Sequence, residues 1–174
     1  MKKNDSNRVI VLSKTIIGVM GGASVCEEDY RMAFDLGARI AEKGWILLNG
    51  GRDAGIMRAS AEGAKSKGGL TIGILPGPSK AGANPFIDIP IVTNLADARN
   101  LINVLSSDVV VACPGGAGTL SEIALALKND KPVVLLKYPL QPAFHTFARH
   151  GQLFYTDTPA HCIDQIEKIL TSLP

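Results

Sequence analysis

Asp108-Val109-Val110-Val111-Ala112-Cys113-Pro114-Gly115-Gly116-Ala117-Gly118-Thr119-Leu120-Ser121-Glu122 passes from an unbroken apolar run through a glycine turn into a helical segment. The run at 108–113 does not alternate, which marks a parallel strand covered on both faces. Residues 119–129 read as the helix that follows. The same succession occurs twice upstream. A strand candidate at 15–20 leads into Gly18-Val19-Met20-Gly21-Gly22-Ala23-Ser24, and one at 45–49 leads into Gly50-Gly51-Arg52-Asp53-Ala54-Gly55. Further strand candidates lie at 70–75, 89–92 and 132–136. Ser24-Val25-Cys26-Glu27 has capping-box spacing and opens a helix running to Lys43, closed by Gly44. Other helices are predicted at 56–67, 95–105 and 159–173, with loops at 76–85 and over much of 138–151. This alternation predicts one α/β domain over 15–174. Its architecture is a doubly wound, Rossmann-like parallel sheet with helices on both faces and right-handed crossovers. Residues 1–14 are expected to be a flexible N-terminal tail.

Composition limits the function classes. The 174 residues include eighteen glycines, above the ~7% average. With 46% hydrophobic and 20% charged residues the chain is neither disordered nor fibrous. Eighteen basic residues against sixteen acidic ones give +2, without a basic stripe interleaved with aromatics, so nucleic acid is not an expected partner. The apolar stretch at 9–12 is too short for a secretory segment, and no charge-free run approaches a membrane span of ~20 residues. A cytoplasmic protein without membrane association is expected. Cys26, Cys113 and Cys162 are far apart and read as reduced, buried side chains. The histidines show no ligand spacing, so no metal site is expected.

The three glycine turns carry the chemistry. Glycine lets backbone amides approach a ligand without a Cβ in the way. A helix start adds free N–H groups and a positive dipole end, so the third turn suits phosphate or another oxyanion. None of the turns is a Walker loop, and none matches G-x-G-x-x-G. The candidate binding residues are Gly21, Gly22, Ala23 and Ser24 in the first turn, with Gly50, Gly51 and Arg52 in the second. The third turn adds Gly115, Gly116, Gly118 and Thr119.

Gly50-Gly51-Arg52-Asp53-Ala54-Gly55-Ile56-Met57 together with Pro114-Gly115-Gly116-Ala117-Gly118-Thr119-Leu120-Ser121-Glu122 resembles the paired motifs of the Lonely Guy superfamily, once labelled "lysine decarboxylase-like". The likeness covers most of the chain from Thr15 onward. Within the superfamily the chain is most similar to molybdenum cofactor carrier proteins. That similarity rests on Gly44-Trp45-Ile46-Leu47-Leu48, Thr71-Ile72-Gly73-Ile74-Leu75-Pro76-Gly77-Pro78 and Asp88-Ile89-Pro90-Ile91-Val92-Thr93, and is extended by Ala98-Arg99-Asn100.

The resemblance implies two functions. The superfamily's enzymes hydrolyse nucleoside 5′-monophosphates to free base and ribose 5-phosphate, using an Arg-Lys pair and the glutamate of the third motif. Arg99 and Glu122 match that arginine and glutamate as catalytic candidates, whereas Asn100 stands at the lysine position. Carriers instead bind and protect the molybdenum cofactor, an anionic pterin phosphate, without turnover. The glycine turns, Arg52, Arg99, Glu122 and the additional charge of Arg58 would then hold the cargo. Asn100 favours the carrier. Both ligand-binding candidates also have plain structural readings. Thr119 and Glu122 have the spacing of a capping box, and Arg99 that of a solvated helix arginine at the edge of an apolar stripe. The helix 119–129 is apolar nearly all round, which implies packing against another subunit in a dimer or tetramer.

Overall fold

The computed structural model describes residues 14–172; residues 1–13, which make up nearly all of the expected tail, lie outside the described part. Seven strands form one parallel sheet: β1 Ile16–Met20, β2 Ile46–Asn49, β3 Thr71–Leu75, β4 Ile89–Val92, β5 Val109–Ala112, β6 Val133–Leu136 and β7 Leu153–Thr156. Their spatial order is β4-β3-β2-β1-β5-β6-β7. β1 pairs in register with β2 through Ile16 and Ile46, and with β5 through Ile17 and Val109. The chain therefore winds outward from β1 in one direction and then restarts at β5 on its other side. This is the doubly wound sheet that the sequence predicts.

The unbroken apolar strands are buried on both faces. Ile17, Val19, Val109 and Val111 point into one core beneath α1 (Glu27–Glu42), α2 (Gly55–Ser66) and the last helix, Pro159–Ser172. Met20, Val110 and Ala112 point the other way, beneath α3 (Asn100–Leu105) and α4 (Ala117–Lys128). The terminal helix is α5. No helix among the described residues is long and apolar enough to cross a membrane.

α1 and α2 pack at backbone distance. A Cβ on Gly37 would meet the Ser60 carbonyl, and one on Gly63 would meet the Phe34 carbonyl. Gly63→Ala is therefore expected to destabilise the protein by ~1–3 kcal/mol, the usual cost of overpacking. A urea titration measures it; an unchanged midpoint would show that the helices separate without cost.

Three sequence expectations need correction. Strand β7 falls just past the predicted loop and was not foreseen; it is a half-buried edge strand, preceded by the short 3-10 segment Pro142–Phe147. The capping box at Ser24–Glu27 does not form. α1 begins later, with Cys26 at the N-cap and no side-chain cap, and its first turn gains Glu27, Glu28 and Asp29 against the helix dipole instead. Cys26 is consequently exposed, while Cys113 and Cys162 are buried as expected. Burial pushes the Cys162 thiol up to about 12.

Candidate functional site

The sheet changes winding direction between β1 and β5, and the three glycine turns meet above the carboxyl ends of β1, β2 and β5. Backbone contacts lock them together. Gly22 N–H donates to Pro114 O at 2.9 Å, and Ile56 N–H donates to Gly22 O at 3.0 Å. The first turn is thus bonded to the third turn on one side and to the start of α2 on the other. Gly22 and Gly115 pass so closely that a Cβ on Gly115 would sit 2.7 Å from Gly22 N, so position 115 does not accommodate a side chain, while a Cβ on Gly22 would press against Gly115 Cα at 3.2 Å.

The second turn is shaped by Asn49, fully buried at the end of β2. Its Nδ2 donates to Met57 O at 2.9 Å, and its Oδ1 accepts from Gly51 N–H at 2.8 Å. The segment after β3 folds back on this turn, with Asn84 N–H donating to Gly51 O at 2.9 Å.

A cleft of about 210 Å³ opens over this junction. Its lining includes Gly21, Gly22 and Ala23 from the first turn, Gly50 and Arg52 from the second, and Gly116, Gly118, Thr119 and Glu122 from the third turn and α4. Asp97, Arg99 and Asn100 enter from the helical turn Ala96–Arg99 and the start of α3. Ten of the thirteen binding residues expected from sequence therefore share one cleft. Ser24, Gly51 and Gly115 do not line it. Ser24 is exposed on the approach to α1, Gly51 is buried against Leu75 and Gly73, and the exposed Gly115 packs against Thr119 and Gly22. Arg58 also lies elsewhere, paired with Asp53 at 2.6 Å and stacked over Phe86.

The cleft has a positive floor. α4 starts at Ala117 with Gly116 at its N-cap, and the first helical bond runs from Leu120 N–H to Gly116 O at 3.0 Å. The amides before Leu120 therefore lack intrahelical acceptors. Arg99 is only 8% exposed, far from a solvated helix residue, and its guanidinium lies against the Gly50 backbone. Burial lowers its pKa, and Arg52 at the rim lowers it further, while Glu122 and Asp97 raise it. Arg99 Nε finds no hydrogen-bond acceptor among the described residues.

Glu122 is 6% exposed and faces Arg99, Nη1 to Oε1, at 4.0 Å. Thr119 does not cap it reciprocally; Asn103 Nδ2 donates to Glu122 Oε1 at 2.8 Å. The carboxyl is pushed up to about 7 by burial, against the opposing pull of Asn103 and Arg99. Asn100, at the position where the resembled enzymes carry lysine, donates to Ser121 Oγ at 3.0 Å, and Ser121 Oγ donates to Gly118 O at 2.7 Å. It braces the first turn of α4 instead of adding charge to the cleft.

Asn49 and Asn103 were not foreseen. The first was signalled by a polar residue ending an apolar strand, the second by a polar residue one helical turn after Asn100.

The family model described as the SLOG cluster4 family matches residues 14–163. The fold superposes on the molybdenum cofactor binding protein from the phototrophic bacterium Rippkaea orientalis with a TM-score of 0.85 and 49% identity, covering 91% of this chain and 99% of that one. The molybdenum cofactor carrier protein from Chlamydomonas reinhardtii gives a TM-score of 0.84 and 46% identity, covering 92% of this chain and all of the other. A cytokinin riboside 5′-monophosphate phosphoribohydrolase of Mycobacterium tuberculosis is 35% identical over 113 residues, 60% of either chain.

Proposed function

The chain belongs to the SLOG cluster4 family, and from that premise we propose that it binds, protects and carries the molybdenum cofactor without turning it over. The observation that carries this reading is the buried guanidinium of Arg99, short of acceptors, facing a cleft with the open amides of α4. A phosphate or oxo-anion in the cleft offers acceptors to the part of Arg99 that lines it and to the α4 amides, and charge-assisted hydrogen bonds of ~1.5–3 kcal/mol each then hold it. The cleft volume is below the ~300–1,000 Å³ of sites that enclose a drug-sized ligand. It suits the anionic head of the cargo, with the remainder lying toward the mouth beside Arg52. Similarity to the Rippkaea and Chlamydomonas proteins over nearly the whole chain supports the same cargo.

A second reading has its own observation. Arg99 and Glu122 face each other in the cleft, and the mycobacterial relative is a phosphoribohydrolase. In such a reaction Arg99 would grip the phosphoribose, and an ionised Glu122 would stabilise positive charge developing on the ribose. Asn100 weighs against it, since its amide is spent on Ser121 and contributes no cation.

Anaerobic equilibrium dialysis with the molybdenum cofactor, paired with incubation with AMP, separates the two. Retained cofactor, displaced by excess oxyanion, and no free base is the expected result. Failure to retain either cofactor or oxyanion removes the carrier, and release of base at enzymatic rates establishes the hydrolase. We place the protein in the cytoplasm as a homo-oligomer. Leu101 and Leu105, one turn apart on α3, and Ala124 on α4 are exposed apolar residues suited to contact with a second copy.

A further inference from the structure

Two buried polar atoms in and beside the cleft lack partners among the described residues. One is Arg99 Nε, discussed above. The other is Asn103 Oδ1. Asn103 is fully buried on α3, and the same amide donates from Nδ2 to Glu122 Oε1. A buried acceptor without a donor is costly, because nothing replaces the water it has lost. The carboxyl beside it has a donor to offer only when it carries a proton. A neutral acid and an amide pair reciprocally, N–H to one carboxyl oxygen and O–H to the amide oxygen, which satisfies both sides of Asn103.

The charges around Glu122 set when that happens. Arg99 faces it from the helical turn before α3, Arg52 stands across the cleft in the second glycine turn, and Asp97 is the other carboxylate lining the cleft. With the cleft empty, Arg99 favours the ionised form. An anion seated on Arg99 and the α4 amides takes over that cation and adds a negative charge beside Glu122. Both changes disfavour a second buried carboxylate.

We propose that Glu122 enters the loaded site as the neutral acid, donating to Asn103 Oδ1, so that each anion bound brings one proton with it from solvent. The inference rests on the reading that this cleft holds an anionic ligand. It also bears on holding against cutting. A carboxyl kept neutral by its own ligand cannot stabilise cationic charge on a ribose, so loading disarms the group that hydrolysis needs.

The sign follows from linkage. In the empty protein Glu122 titrates at about 7. Below that pH it already carries the proton, and affinity does not change with pH. Above it every binding event must capture a proton, so Kd rises with pH by at most ~10-fold per unit until the midpoint of the loaded state is passed. Sulfate is the suitable probe, because its charge is constant from pH 6 to 9 while a phosphate ester's is not.

Sulfate affinity is to be measured from pH 6 to 9 for the wild type and for Glu122→Gln, with the side-chain carboxyl of Glu122 followed by carbon NMR. The glutamine amide reproduces the acid's donor and acceptor permanently. The expected result is a wild-type Kd flat below about 7 and rising above it, a variant with no pH dependence that matches the wild type's low-pH affinity, and a carboxyl midpoint moved upward by sulfate. A wild-type profile flat throughout, a variant that keeps the slope or binds more weakly than the wild type at pH 8.5, or no sulfate binding at any pH overturns the proposal. If the cofactor is retained in dialysis but sulfate binding is independent of pH, the proton link falls and the cargo stands. If sulfate shows the slope but the cofactor passes through, the cargo falls and the link stands.

Discussion

Arg99→Met is expected to weaken retention of the molybdenum cofactor by about 100- to 1,000-fold while leaving the fold intact. Two charge-assisted hydrogen bonds at ~1.5–2 kcal/mol each, with 1.4 kcal/mol per tenfold, give that range. The fold survives because the guanidinium is an expensive occupant. It is buried, its Nε has no acceptor among the described residues, and its carboxylate partner is 4.0 Å away. Replacing a whole buried ion pair by apolar side chains is often neutral or stabilising, and removing one partner is costly only where the other is left as an uncompensated buried charge. Methionine fills the space of the lost side chain. Glu122 then loses the cation that favours its ionised form, its pKa rises further, and it takes a proton instead of remaining as an unpaired buried charge. Arg52→Met is the matched control. Arg52 is exposed at the rim, so its loss should cost less than ~10-fold, and more at low salt than at high. Equilibrium dialysis and thermal melts at pH 6 check the pair. Retention by the Arg99 variant within threefold of the wild type would place the anion away from this residue.

The fold was readable wherever one physical demand dominated the local sequence. Strands covered on both faces must be apolar throughout, so β1, β2, β5 and β6 stood out as uninterrupted runs. β7 covers only part of its surface, and Tyr155 is 52% exposed at the sheet edge, so the mixed run Leu153-Phe154-Tyr155-Thr156 carried a weaker signal. Enrichment in aromatic and β-branched residues between Gly151 and Asp157 was the cue available. In the site, the glycine turns were legible because at Gly21, Gly51, Gly55 and Gly115 a Cβ would collide with the neighbouring turn, strand or helix. Arg58 was misassigned because side-chain direction on α2 depends on where the preceding loop leaves Asp53, which spacing does not encode. Asn103 was missed for the opposite reason. Its importance lies in a contact with Glu122 across two helices, nineteen residues apart, and its one local cue, a polar residue a helical turn after Asn100, does not reveal that partner.

The other large effect is expected from a substitution that removes no charge at all. A Cβ on Gly50 would lie 2.7 Å from Nη2 and 2.9 Å from Cζ of Arg99. The obstructed neighbour is the far end of a flexible side chain, so the guanidinium moves and the backbone does not. Stability should change little, since Gly50 does not occupy the left-handed region and alanine restricts the unfolded chain by ~0.4–1 kcal/mol in the protein's favour. Binding should collapse nonetheless. The displaced cation can no longer meet an anion seated on the α4 amides, and Gly50→Ala should approach the loss caused by Arg99→Met. The two substitutions then act through one group, and the double variant should bind no more weakly than either single one, a departure from additivity of several kcal/mol against the ~0.3–0.5 kcal/mol scatter of independent sites. A dialysis series over the four proteins decides the matter. Additive losses would mean that Gly50 meets the ligand through its own backbone and that its close approach to Arg99 is only packing; coincident losses mean that the glycine's missing side chain is what keeps the guanidinium in the cleft.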